Sequence, residues 1–149
     1  MAEPEREYAS FFRRLGALVI DEITKSLVYL GILIMIAMLT GNLPDAPADP
    51  FDPAALAPRL LLSFGYDWIF WSQGWTPGAS LMGIRIVRPD GAPPGAVRGA
   101  VRALIAIPSA GLFFLGYAWM LLSPRKQTWH DLAAGVYVVR VHDRDTSAR

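Results

Sequence analysis

The residues best equipped for chemistry are charged side chains set in or beside apolar runs. On a helix turning 100° per residue, Arg14, Leu18, Asp21 and Lys25 share one narrow face, because spacings of seven and four return to nearly the same side. Asp21 and Lys25 form an i, i+4 pair able to neutralise each other, and lipid makes an isolated charge cost about 2.5–3.5 kcal/mol on the insertion scale. Arg13 and Arg14 read as interfacial anchors, and Lys25 can snorkel. For Asp21, deeper and shorter, anchoring and the lining of a polar cavity both stay open. Asp67, beside Trp68 and Trp71, is a further carboxylate near membrane depth, either hydrated at the interface or joined to the same cluster. Trp129-His130-Asp131 suggests an acid/base pair, but adjacent residues point in different directions, and Asp131 is expected to cap the short Leu132-Ala-Ala turn.

No enzymatic motif accompanies these residues. Gly-x-Ser-x-Gly, Gly-Lys-Ser/Thr and His-Glu-x-x-His patterns are absent, so the chain is expected not to be an enzyme. With no cysteine and only His130 and His142, no metal site and no cofactor are expected. The net charge of +1 and the scattering of arginines over segment ends argue against a nucleic-acid partner. Arg85 and Arg88 are spaced to touch anionic headgroups.

The elements that must hold these groups are apolar: 53% of the 149 residues are hydrophobic, more than a soluble domain of this length needs. The expectation is an all-α membrane protein of three hydrophobic helical segments with a small cytoplasmic β-like element. Segment one runs from about Phe11 to Thr40 and reads as a retained helix, not a cleaved signal, since Asp21, Glu22 and Lys25 interrupt its start. Its uncharged part, Ser26 to Leu39, covers only about 21 Å of a hydrocarbon core of about 30 Å, which draws Lys25 towards the lipid boundary. Gly41-Asn42-Leu43-Pro44 stops it, and Asp45 to Pro53 is a loop without Lys or Arg. Segment two, Ala54 to Trp71, is interrupted by Arg59 and Asp67 and ends in an aromatic belt of Trp68, Trp71 and Trp75. Gly74, Thr76, Pro77 and Gly78 specify a turn, and Leu81 to Arg88 a short strand.

Segment three has a 20-residue uncharged run from Ala103 to Leu122, enough to span, with Pro108 inside it able to kink the helix or make it re-entrant. Arginines before segment one and after segment two, with none between, place the N-terminus in the cytoplasm. Three full spans are the simpler arrangement but would export Arg125, Lys126 and Arg140. A folded-back third segment keeps them inside and lets Ile84–Val87 pair with Val136–Val139. No internal repeat is present, so a transport pathway would need several copies, and a homo-oligomer or a membrane partner protein within the lipid bilayer is expected.

Four blocks in order, Arg14-Leu-Gly-Ala-Leu-Val-Ile-Asp21, Gly74-Trp-Thr-Pro-Gly78, Leu81-Met-Gly-Ile-Arg-Ile-Val87 and Gln127-Thr-Trp-His-Asp131-Leu-Ala-Ala-Gly135, resemble the RDD family of bacterial membrane proteins. The resemblance covers about Phe11 to Val141 and divides the chain into an N-terminal tail (1–10), an RDD-like transmembrane domain (11–141) and a charged tail (142–149). The family's namesake arginine and aspartates would be Arg14, Asp21 and Asp131, and Ala79 stands where the family usually has lysine. What this implies is a multi-pass protein of the bacterial cell membrane with no established reaction, for which transport of a small ion or solute is the general suggestion and a scaffold or accessory subunit the alternative. An Arg–Asp–Asp triad near the membrane surface would serve structure before ion binding, because buried ions need partners wherever they occur.

Overall fold

A computed structural model describes residues 7–42, 49, 52–111 and 118–141, with the side chains of 110 and 111 excepted. Expectations for residues 1–6, the loop across 43–48, 50 and 51, the stretch 112–117 and the tail 142–149 lie outside the described residues. The elements are α1 (Phe11–Thr40), α2 (Pro53–Gln73), α3 (Pro77–Leu81), β1 (Ile84–Val87), α4 (Gly95–Gly111), a 3₁₀ turn (Trp119–Leu121), α5 (Trp129–Ala134) and β2 (Tyr137–Arg140). The chain is mostly helical with one two-stranded sheet.

Thirty residues of α1 extend about 45 Å at 1.5 Å per residue, well beyond a hydrocarbon core of about 30 Å. Its most apolar stretch has mean hydropathy 2.0 and is only 6% buried, so it is not the core helix of a compact protein. Inward-facing Ala17, Asp21 and Lys25, four apart, form the buried stripe, while Leu27, Ile34, Met35, Met38 and Leu39 are exposed. Gly41 ends the helix in the left-handed conformation, its N–H donating to Ala37.

Three membrane-crossing helices are not what the described residues contain, where α1 alone is both long and apolar enough. In α2, Arg59 and Asp67 break the apolar run; in α4 the helix has 17 residues and begins with Arg98 and Arg102. The uncharged run from Ala103 is not one continuous described helix. α4 carries Pro108 inside it, ends at Gly111, and the chain turns as a 3₁₀ element by Trp119. Asp52 caps α2, its carboxylate accepting from the Ala54 N–H, with Pro53 at the first helical position. α2 packs most extensively on α4, and the contact requires glycine: a Cβ on Gly99 would lie 2.3 Å from Ser72 Oγ.

Leu81 belongs to α3 and not to a strand, because Thr76 caps a one-turn helix that opens with Pro77, and Gly83 at φ +63 then turns the chain into β1. The Gly74–Gly78 stretch is thus a left-handed C-cap followed by a short helix. β1 and β2 pair antiparallel, Ile84 opposite Arg140 and Val87 opposite Tyr137, one residue along from the run read in the sequence. Gly135 is the left-handed C-cap of α5. On its other edge β2 meets the start of the chain: Ala9 N–H donates to Val138, and Tyr8 bridges Val139. The C-terminal strand therefore sits beside the N-terminal end of α1, the folded-back arrangement. The core joins Ala9, Ala17, Trp71, Ala79, Ile84, Ile86, Ala103, Val136 and Val138.

Candidate functional site

The charge cluster forms where α1, α2, α4 and α5 meet. Asp131 is fully buried and receives two arginines: Arg14 Nη1 donates to Oδ2 at 2.5 Å, and Arg102 Nε donates to Oδ1 at 2.8 Å. Asp131 is not the N-cap of α5. Thr128 takes that position, extended at φ −85, and Asp131 sits three residues on, closing a capping box in which its Oδ2 accepts from the Thr128 N–H at 3.2 Å. Arg102 also lies over the Trp71 ring, 3.9 Å from its centroid, and Trp71 stacks on buried His130 with centroids 5.9 Å apart and planes 7° apart. His130 Nε2 is 3.9 Å from Asp131 Oδ1, too far for a hydrogen bond.

The expected Arg14–Asp21–Asp131 triad is not formed; Arg102 supplies its third member. Asp21, about two turns further along α1 than Arg14, anchors the glycine-rich turn: Thr76 Oγ1 donates to Oδ2 at 2.6 Å, the Gly78 N–H to Oδ1 at 2.8 Å and the Tyr66 hydroxyl to Oδ1 at 3.0 Å. α3 lies so close that a Cβ on Gly78 would sit 2.2 Å from the Ala17 carbonyl oxygen, which is why glycine stands there. Buried Ala79, in the usual lysine position, donates its N–H to Thr76 Oγ1.

Nor does Lys25 neutralise Asp21. Its ammonium lies 2.6 Å from Glu22 Oε1, donates to Ser63 Oγ at 3.0 Å and stands 3.5 Å from Asp67 Oδ2, so Asp21 is left to neutral donors. Lys25, Glu22 and Asp67 line the polar part of a groove of about 980 Å³ between α1, α2, α4 and the 3₁₀ turn, walled elsewhere by side chains such as Leu15, Val19, Phe64, Ile107 and Leu121. Neither Arg85 nor Arg88 lines the groove: Arg88 pairs with Asp90 at 2.9 Å, and Arg85 is exposed on β1.

Arg102, Glu22, Ser63, Tyr66 and Thr128 join the site without being among the candidate site residues of the sequence. Arg98 and Arg102 are i, i+4, which places both on one face of α4; Arg98 donates to the Gly135 carbonyl at 2.7 Å. Ser63 and Asp67 share the same spacing on α2 and meet the same ammonium.

In α5, two groups have displaced acidities. Burial pushes the His130 imidazole down from its ordinary 6.5 to about 3, against the pull of Asp131 and helped by Arg102 and Arg14. Burial alone would raise the Asp131 carboxyl, but Arg102 and Arg14 outweigh it and hold it well below the usual carboxylate range. A histidine depressed in the folded state takes up its proton in the unfolded chain first, so stability falls as pH drops below 6.5 and continues to fall towards 3. Asp131 adds a loss in the same direction below its unfolded value of about 3.9. Denaturation of purified protein between pH 7 and 4 is expected to show a slope approaching about 1.4 kcal/mol per pH unit from His130. His130→Phe, which keeps an aromatic ring against Trp71, is expected to remove that component.

A mostly helical chain with one long exposed apolar helix and buried charges near that helix's end has the features of a membrane protein. The chain belongs to the RDD family, a membrane-associated family, whose sequence profile matches residues 8–135. An uncharacterized protein, YckC of Bacillus subtilis (strain 168), is 33% identical over 135 residues, covering 87% of this chain and 83% of the relative. No solved structure shows a significant match.

Proposed function

We propose that the chain is a multi-pass protein of a bacterial cytoplasmic membrane that binds a small ion or solute in the groove between its helices and contributes to its transport as an oligomer. The observation that carries this is the placement of Lys25, Glu22 and Asp67 in a largely apolar groove beside a helix able to cross the bilayer. In this reading α1 crosses the membrane, α2 returns, α4 enters and bends back, and both ends of the described chain lie in the cytoplasm. That keeps Arg13, Arg125, Lys126 and Arg140 on the positive-inside face.

Reconstituted full-length protein should conduct at least one of Na⁺, K⁺, protons or a small organic cation above empty vesicles, and Asp67→Asn should reduce that flux about tenfold or more. Absence of flux for all four, with the protein folded and inserted, would remove the transport reading. It would leave the second reading, a membrane scaffold or accessory subunit. That alternative draws support from Arg14, Arg102 and Asp131 being consumed in internal contacts while broad apolar faces stay exposed.

A further inference from the structure

Two contacts fix the depth of the turn that precedes α5. Asp131 meets Arg14, and Leu121 of the 3₁₀ turn faces the groove beside Phe11 and Leu15, so both stand level with the first turns of α1. Measured back from Thr40, a hydrocarbon core of about 30 Å takes up about 20 residues of α1 and ends near Asp21. Arg14 lies about 10 Å further out, where phospholipid headgroups meet water.

At that depth the turn presents an apolar patch beside two cations. Trp119, Leu121 and Leu122 are 44%, 66% and 78% exposed, and the Trp119 and Trp129 ring centroids are 6.5 Å apart, an aromatic pair of the kind that settles at a membrane surface. Arg125 and Lys126 follow at once and are exposed. No exposed carboxylate shares the stretch from Trp119 to Leu132, because its single acid, Asp131, is buried between Arg14 and Arg102. Glu7, across the sheet, is paired with Arg140. The turn is also held in place: the Lys126 N–H donates to the Ser123 carbonyl at 2.9 Å, and the Gln127 side chain to the Val136 carbonyl at 2.8 Å. Lys126 has φ +48, a left-handed conformation that glycine adopts at less cost, so this position keeps an ammonium against the preference of its backbone. Arg125 gives one N–H to the Tyr137 hydroxyl at 3.1 Å, which orients the guanidinium and leaves its other donors for an anion.

We infer that this turn binds one anionic phospholipid, its phosphate held by Arg125 and Lys126 and its acyl chains laid over Trp119, Leu121 and Leu122. The inference rests on α1 crossing the bilayer as proposed above, and not on transport. Charge complementarity selects an anionic headgroup over a zwitterionic one, which would bring its own cation against the same two residues. The apolar patch selects a lipid over a soluble phosphate, since burying the exposed leucines supplies affinity that a headgroup alone does not.

Native mass spectrometry of the full chain in neutral detergent, titrated with phosphatidylglycerol and with phosphatidylcholine of the same acyl chains, tests this. One phosphatidylglycerol per chain should be retained, at least about tenfold more tightly than phosphatidylcholine. Arg125→Gln and Lys126→Gly should each weaken phosphatidylglycerol about fivefold, the scale of one basic residue at an anionic surface. Lys126→Gly should melt no lower than the parent, because glycine suits the left-handed backbone; that separates loss of the lipid from loss of the fold. Leu122→Asn should weaken both lipids. Equal retention of the two lipids, or a preference indifferent to Arg125→Gln and Lys126→Gly, would overturn the inference. So would the same loss from Arg59→Gln, near the start of α2, or displacement of the lipid by glycerol phosphate at equal concentration, which would make the site one for free phosphate. The titration needs neither flux nor sidedness, so its failure and that of the transport reading are separate results.

Discussion

Replacing Asp131 with alanine is expected to destabilise the protein by about 3–5 kcal/mol, the largest effect of any single substitution in the cluster. The carboxylate is fully buried and accepts from Arg14 at 2.5 Å and Arg102 at 2.8 Å. Its removal leaves two guanidiniums with exposures of 10% and 7% and no counter-ion, and also opens the capping box of α5. The loss is therefore mostly the cost of stranded charge. Replacing all three ionic residues by methionine or leucine of similar bulk is expected to recover most of the stability, because the ion cluster's attraction largely offsets its own desolvation. Thermal unfolding in detergent, followed by helical content and tryptophan emission, separates these cases. An Asp131→Ala protein that melts with the parent would show that the arginines are hydrated and the cluster is not formed.

The second large effect is at Asp21. Alanine there strips the acceptor from Thr76, Gly78 and Tyr66 together, and each buried donor left unpaired costs about 1–3 kcal/mol. Since α3 is fastened to α1 through these bonds, the expected local result is release of the Thr76–Leu81 turn, read as faster amide exchange at Gly78 and Ala79. Asparagine keeps an acceptor for Gly78 and Tyr66 and can donate to the Thr76 hydroxyl, so Asp21→Asn should cost about half as much or less. Equal losses for alanine and asparagine would mean that the negative charge itself, not acceptor geometry, is what Asp21 contributes.

How far the sequence foretold this arrangement depends on the range of each interaction. The apolar length of α1 and its charged inner stripe follow from local spacing and were legible, as was the chain break at Gly74, whereas the short helix that opens at Pro77 was not. The pairing of the two valine- and isoleucine-rich runs stayed open, because it depended on whether the third segment folds back. The partners of the charges were not legible. Asp21 and Lys25, i and i+4, promised a mutual pair, yet Asp67 lies 42 residues from Lys25 in sequence and Tyr66 45 from Asp21. Only the packing of α2 on α1 decides that the acid and the base are satisfied separately. Arg102 was hidden for the same reason: its carboxylate is supplied by α5 across the chain reversal, a segment for which full crossing and folding back were both allowed. Asp131 was correctly placed near a helix start, but threonine three residues earlier was the better cap.

In the proposed topology the chain folds back so that Arg14 and Asp131 meet within one molecule on one side of the membrane. Sidedness tests it most directly. The chain contains no cysteine, so single substitutions Ser10→Cys, Asn42→Cys, Ala92→Cys and Leu132→Cys report cleanly in intact cells with a membrane-impermeant thiol reagent. The proposed topology predicts labelling of Asn42→Cys alone, with the other three protected until the cells are opened. Labelling of Leu132→Cys together with Asn42→Cys would contradict it, since Asp131 would then lie across the bilayer from Arg14.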